Sequence, residues 1–180
     1  NNIVKEHKVH VIADGSIAGV KIERFSYNAD AHYQIRLQNK IPEDSIVFLF
    51  VGRLSHDKGL LDLSLAFSEA AEQDPKIHLL VVGPDEAGLE GEFTFLATRF
   101  SGRVHRVGFT DCPEHYMSAA DVLCLPSYRE GFSTVIIEAA AVGLPAIASR
   151  IYGIADTMVD GVTGILHEPA SCHEIAEAML

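Results

Sequence analysis

Two short stretches hold the residue types that could do chemistry. In RLSHDKG, residues 53–59, Arg53 and Lys58 stand five positions apart. A guanidinium fork and a mobile ammonium group at that separation can close on a diphosphate. In SYREGFSTVIIEAAAVGLPAIAS, residues 127–149, Glu138 is the single charged side chain between Phe132 and Ser149. A carboxylate kept in such a run is costly unless a partner needs it. Glu130 lies just upstream, before Gly131.

The apolar pattern from Ser133 predicts a helix that is greasy nearly all round, and therefore buried. Its first N–H groups, at Ser133, Thr134 and Val135, would be free to face an anion. Such an end is worth about 0.3–1 kcal/mol per charge. Charge-assisted contacts from Arg53 and Lys58 would add roughly 1.5–3 kcal/mol each. Glu138 sits five residues on, about 7.5 Å along the helix axis. A sugar attached to a phosphate extends over a similar distance, and one carboxylate accepts the two hydroxyl hydrogen bonds that a ribose presents. Each feature also has a plainer reading: a solvated basic loop, a buried Glu138 paired with an arginine or a backbone N–H, and an exposed loop Glu130. A glycosidase-like carboxylate pair is a further reading. A member inside a buried helix suits ligand holding better than proton transfer.

The elements that must position these residues alternate along the chain. Strand patterns fall at 46–52, 77–83, 103–109, 121–126, 145–149 and 164–169. Helical spacing falls at 29–39, 60–73, 90–100, 113–120, 133–143 and 171–180, with a short helix at 153–159. Apolar strands alternating with helices imply an α/β fold, a doubly wound, mainly parallel Rossmann-like sheet with helices on both faces. Ligands of such sheets bind outside the carboxyl ends of the strands. That rule selects the loops 52–59, 83–89, 108–112 and 126–134. KVHVIADG, residues 8–15, reads as one more strand. No loop carries the G-x-G-x-x-G dinucleotide fingerprint or a P-loop.

The chain has 180 residues and a formal net charge of −11, which argues against a nucleic-acid binder. Any anion site must then be a local arrangement. The cysteines, Cys112, Cys124 and Cys172, are scattered and read as reduced and structural. The nine histidines form no metal set; His7 and His10 are the nearest to one, and no metal is expected. No apolar run reaches the roughly 18 residues of a membrane span. The polar start NNIVKEHKVH does not read as a signal peptide. Both ends read as cuts through a longer protein, with EIAEAML stopping inside a helix.

GRLSHDKG, VVGPDE, VGFTDCPEHYMSAADVLCLPSYREGFSTVIIEAAAVGLPAIAS and GVTGILHEP together resemble the family 4 glycosyltransferases. This is the retaining group with the GT-B fold, and the flavour is similar to bacterial capsule, lipopolysaccharide and exopolysaccharide enzymes. The resemblance covers about residues 8–180. It implies the C-terminal, donor-binding domain of a two-domain enzyme, with residues 1–28 as the interdomain crossover and 29–180 as the nucleotide-sugar domain. By the resemblance, Arg53 and Lys58, beside Gly52, hold the donor diphosphate, and Glu138 holds the ribose. Glu130 contacts the transferred sugar. Gly131, Phe132, Ser133 and Thr134 approach sugar and phosphate, and loops containing Pro84 and Val107 flank the base. Arg53, Lys58 and Glu130 are the implied catalytic residues. The implied partners are a UDP- or GDP-sugar and a glycan or lipid-linked acceptor, with no cofactor or metal and a cytoplasmic location, at the inner face of the membrane in the longer enzyme. Ala18 and Lys21 depart from the family's usual Asn and Asp. Rival readings are a GT-B-fold sugar-nucleotide epimerase and a non-catalytic nucleotide-binding module.

Overall fold

The structure, a computed structural model, describes residues 19–180. The strand expected at 8–15, Ala18, and the His7/His10 pair lie outside the described residues. Six strands form one sheet: β1 (Ile46–Val51), β2 (Ile77–Val82), β3 (Val104–Val107), β4 (Val122–Leu125), β5 (Ala146–Ser149) and β6 (Gly164–His167). Their order is β3-β2-β1-β4-β5-β6 and every neighbouring pair is parallel. Six helices cover it: α1 (Ala29–Gln38), α2 (Leu60–Gln73), α3 (Glu90–Arg99), α4 (Pro113–Ala119), α5 (Thr134–Val142) and α6 (Cys172–Met179). They touch in two groups, α2 with α3 and α6, and α4 with α1 and α5. The α/β sheet covered on both sides is as expected.

The central strands are nearly continuous apolar runs because both faces are covered. All six residues of β2 are buried, as are Val47, Phe48, Leu49 and Phe50 of β1. From β1 the chain steps outward to β2 and β3, then returns to the other side of β1 for β4, β5 and β6. The strand order therefore reverses between β1 and β4. The loops leaving those two strands meet at the crevice where open α/β sheets bind ligands.

Two local expectations change. Residues 153–159 form a series of turns rather than a helix. Gly153 adopts φ 83, outside the helical region, so the chain cannot start a helix there. The segment closes instead through turn bonds such as Thr157 N–H to the Ile154 carbonyl (2.8 Å). The second change concerns α5, which is not buried all round. Ile136, Ala139 and Val142 are buried, but Thr134 and Ala140 are exposed and Glu138 is half-buried. Its apolar face is wider than the surface the described residues place against it.

Helix α1 starts at Ala29, capped by the Asn28 side chain, which accepts from Ala31 N–H (2.9 Å). The segment before it is anchored to α4. The Arg24 guanidinium donates to Glu114 Oε2 (3.0 Å) and Phe25 is 6% exposed. Farther along α1, the buried Arg36 guanidinium donates to the Ala119 and Ser45 carbonyls and to Asp121 Oδ2, which also accepts from Val47 N–H. This fully partnered charge ties α1 to the start of β1 and β4.

Beside the core, His78 on β2 and His105 on β3 stack with ring centroids 5.4 Å apart, and His78 Nδ1 lies 3.1 Å from His105 Nε2. Burial holds the His78 imidazole below its usual value, with Arg103 and Arg36 adding repulsion. Burial, and then the His78 charge, push His105 down to about 4 from the usual 6.5. The unfolded chain therefore takes up these protons first as pH falls. The stabilisation is complete above pH 6.5 and is lost between pH 6.5 and about 4. For His105 the loss is at most roughly 3–4 kcal/mol, at ~1.4 kcal/mol per tenfold change. Urea unfolding of wild type and His105→Leu at pH 7, 5.5 and 4.5 should show a flatter decline in the variant. Parallel declines would remove His105 from the acid sensitivity.

Candidate functional site

The crevice is built by two loops locked together at Gly59. After β1, the backbone is held against the β2 loop by Gly52 N–H to Val82 O (2.9 Å) and Leu54 N–H to Pro84 O (2.8 Å). A 3₁₀ turn, His56–Lys58, follows and ends at Gly59 in the left-handed region, φ 66. A Cβ at Gly59 would lie 1.9 Å from the Pro126 carbonyl oxygen. Only glycine lets the β1 and β4 loops approach this closely. A second tie is Tyr128 N–H to the Asp57 carbonyl (2.8 Å).

That approach sets the charged groups. Lys58 Nζ lies 2.7 Å from Glu130 Oε1, with the two side chains 16% and 14% exposed. Ser127 Oγ donates to the same Glu130 oxygen at 2.9 Å. Arg53 reaches the other way, to Glu86 Oε2 at 2.8 Å. Both candidate diphosphate cations are thus paired with carboxylates in the structure. The Lys58–Glu130 pair is largely shielded from water, whereas Arg53 and Glu86 meet at the exposed rim.

Arg53 and Lys58 line a cleft of about 260 Å³, together with Glu130, Phe132, Ser133 and Thr134. Gly52 lines it too, and Val135 faces it from the first turn of α5. The helix end is less open than expected. Ser133 N–H donates to the Gly153 carbonyl (2.8 Å) and Thr134 N–H to that of Phe132 (3.1 Å). Of the three expected donors, Val135 N–H is left without a partner among the described residues. Ser133 supplies a different group: its hydroxyl oxygen is buried and makes no hydrogen bond among the described residues.

Two further clefts adjoin. One, about 430 Å³, runs past Gly52 and Arg53 to Gly83, Pro84 and the exposed ring of Phe109. The other, about 600 Å³, lies beyond the Lys58–Glu130 pair and reaches Gly131, Tyr128, Arg129 and Tyr152. Gly131 therefore faces this larger cleft rather than the one at the helix end.

Glu138 and Val107 line none of these clefts. Glu138 follows Thr134 by four residues, so it lies on the same helix face one turn along. Burial raises its pKa, while Arg24 lowers it and Glu114 raises it further. Its carboxylate makes no hydrogen bond among the described residues. Val107 O is already taken by Gly83 N–H (3.0 Å) and by the Arg106 guanidinium. Glu86, Ser127 and Gly153 are site-forming residues that sequence reasoning passed over. Gly153 packs so tightly that a Cβ there would meet the Glu130 and Gly131 carbonyl oxygens at 2.5 Å. Nothing in the local pattern marks Glu86 or Gly153, because their contacts span tens of residues, whereas Ser127 stands only three positions before the Glu130 it bonds to.

Chemically, the crevice offers two cations, a buried hydroxyl and a helix end to an anion, flanked by an apolar wall and by a carboxylate. No group of three or more metal-ligating side chains occurs among the described residues. No described helix is long and apolar enough to cross a membrane.

Comparison with known proteins gives this arrangement a setting. The chain is 36% identical to the D-inositol 3-phosphate glycosyltransferase of Corynebacterium diphtheriae, over 100% of this chain and 45% of that protein. It is 31% identical to the capsular polysaccharide biosynthesis glycosyltransferase CapM of Staphylococcus aureus, over 98% of this chain and 46% of that one. The chain thus spans about half the length of these relatives. Anabaena Alr3699/HepE, solved with UDP-glucose, superposes with a TM-score of 0.79 at 27% identity, over 89% of this chain and 45% of that one. The family model for glycosyl transferases group 1 matches residues 33–180, and this chain, with its parallel sheet matching GT-B neighbours, belongs to that family.

Proposed function

We propose that this chain is the donor-binding half of a retaining glycosyltransferase that moves a hexose-type sugar from a nucleotide to a glycan or glycolipid acceptor. The observation that carries the reading is the convergence of Arg53 and Lys58 on the start of α5, where the strand order reverses. The diphosphate lies in the 260 Å³ cleft and displaces both carboxylates from their cations. The base occupies the apolar cleft by Pro84, beside the Val107 loop. The ribose extends along α5 to Glu138. The sugar projects past Glu130 and Gly131, with the backbone of Phe132, Ser133 and Thr134 between it and the helix.

In this reading the bond from the anomeric carbon to the leaving phosphate breaks as charge grows on the nucleoside diphosphate. Arg53 and Lys58 neutralise that charge from fixed positions, which is electrostatic preorganisation. The chain's own cations supply the neutralisation, so no metal is required. Release of Lys58 to the phosphates frees Glu130 for sugar hydroxyls. The acceptor is held mainly by the half that the relatives possess beyond this chain and meets the donor sugar at the cleft beyond Glu130, and the full enzyme acts in the cytoplasm or at the inner membrane face. The 180-residue chain is expected to bind nucleotide and transfer no sugar.

Calorimetric titration with UDP, GDP, ADP and CMP tests the reading. One nucleoside diphosphate should bind, with the monophosphate CMP at least tenfold weaker. No heat from any diphosphate, or sugar transfer by the 180-residue chain, would contradict it.

A further inference from the structure

The chain's eight arginines are all among the described residues. Six form ion pairs: Arg24, Arg36, Arg53, Arg99, Arg106 and Arg150. Arg103 donates to the Ala71 and Asp74 carbonyls. Arg129 alone makes neither an ion pair nor a hydrogen bond among the described residues. In a chain with 25 acidic and 14 basic side chains, an arginine without an anion stands out. Its neighbour in sequence does not neutralise it, because Glu130 Oε1 is engaged by Lys58 and Ser127.

Arg129 lines the 600 Å³ cleft beyond the Lys58–Glu130 pair. The walls there suit a sugar. Tyr128 is held through its hydroxyl, which bonds to Asp62. Tyr152 presents an 81% exposed ring and Ile151 adds apolar surface. Arg53, Lys58 and Asp57 also border the cleft; with Arg53 and Lys58 given to the diphosphate and Asp57 repelling anions, Arg129 is the cation left for a second anion. A guanidinium offers a planar fork that matches carboxylate and phosphate oxygens.

We propose that Arg129 recognises an anionic substituent, a carboxylate or a phosphate, on the glycan that occupies this cleft. The inference rests on the glycosyltransferase reading above, which puts the transferred sugar beside Glu130 and Gly131. The anion can enter on the donor sugar, as a hexuronate, or on the sugar of the acceptor. In either case Arg129 sets specificity and adds nothing to the diphosphate.

The test uses wild type and Arg129→Gln. In the donor arm, UDP-glucuronate is titrated against UDP-glucose. In the acceptor arm, glucose 6-phosphate is titrated against glucose with the protein saturated in UDP. If GDP is the nucleotide that binds, GDP-mannuronate and GDP-mannose replace the donor pair and GDP the saturating ligand. In one arm the anionic member should bind about tenfold more tightly than its neutral counterpart. Arg129→Gln should erase that preference and leave the bare nucleoside diphosphate unaffected. No anionic preference in either arm, or a preference that survives in the variant, overturns the assignment. So does an equal loss of bare nucleotide in Arg129→Gln, which would place Arg129 at the diphosphate. If no nucleotide binds at all, the glycosyltransferase reading fails and this inference fails with it.

Discussion

Lys58→Ala should weaken nucleoside diphosphate binding by about 100-fold, while Glu130→Gln should tighten it several-fold. The opposite signs follow from one ion pair. Lys58 Nζ is 2.7 Å from Glu130 Oε1 in the structure, and an entering diphosphate must take that ammonium for itself. A hydrogen bond to a charged group contributes about 1.5–3 kcal/mol. Removing Lys58 loses that contact and also leaves the Glu130 carboxylate facing the phosphates with no cation between them. The combined effect lies at the upper end, and ~2.8 kcal/mol corresponds to 100-fold. Neutralising Glu130 instead removes the competitor and frees the lysine. The gain applies to the bare diphosphate. A nucleotide-sugar should gain nothing, because in the proposed reading Glu130 also accepts from its hydroxyls. Calorimetry on both variants and the double variant gives the coupling directly. Equal affinity in wild type and Lys58→Ala would show that the phosphates lie elsewhere.

The second large effect is on folding. Gly59→Ala should lower stability by more than about 3 kcal/mol, through two added terms. Gly59 sits at φ 66, where a side chain costs about 1–2 kcal/mol. The added Cβ would also lie 1.9 Å from the Pro126 carbonyl oxygen, a backbone atom that no rotamer change can move. The β1 and β4 loops must separate, which pulls Lys58 away from Glu130. Gly88→Ala separates the two terms, because Gly88 has φ 72 but nothing within 4 Å of its Cβ. It should lose only the backbone term. In thermal unfolding, at roughly 2–4 °C per kcal/mol for a domain of this size, Gly59→Ala should melt about 10 °C lower. Gly88→Ala should melt only a few degrees lower. Equal shifts would mean that the loops do not meet as described.

Some of this was legible because it is local. IVFLFVG and IHLLVVG read as strands covered on both faces, since runs that are apolar at nearly every position leave no side for water. Their alternation with helical spacing led to a parallel sheet, and the carboxyl-edge rule led to the loops 52–59 and 126–134, where the clefts lie. Where local pattern misled, a distant contact was responsible. The segment 153–159 has helical composition, but Gly153 must adopt φ 83 to lie against the Glu130 and Gly131 carbonyls. Helix α5 is apolar enough to be buried, yet burial depends on what packs against it.

The amino-acid sequence by itself determined the elements, their parallel arrangement and the edge of the sheet that carries Arg53, Lys58 and Glu130, because periodicity and turn chemistry act over a few residues. Only the tertiary structure decided how those charges are used. Lys58 meets Glu130 across 72 positions and Arg53 meets Glu86 across 33. Arg129 stands beside Glu130 in the chain and pairs with nothing described, while Glu138 lies one turn beyond the cleft. Charge pairing depends on distances of a few ångströms between loops, and those distances exist only once the sheet has brought the ends of β1 and β4 side by side.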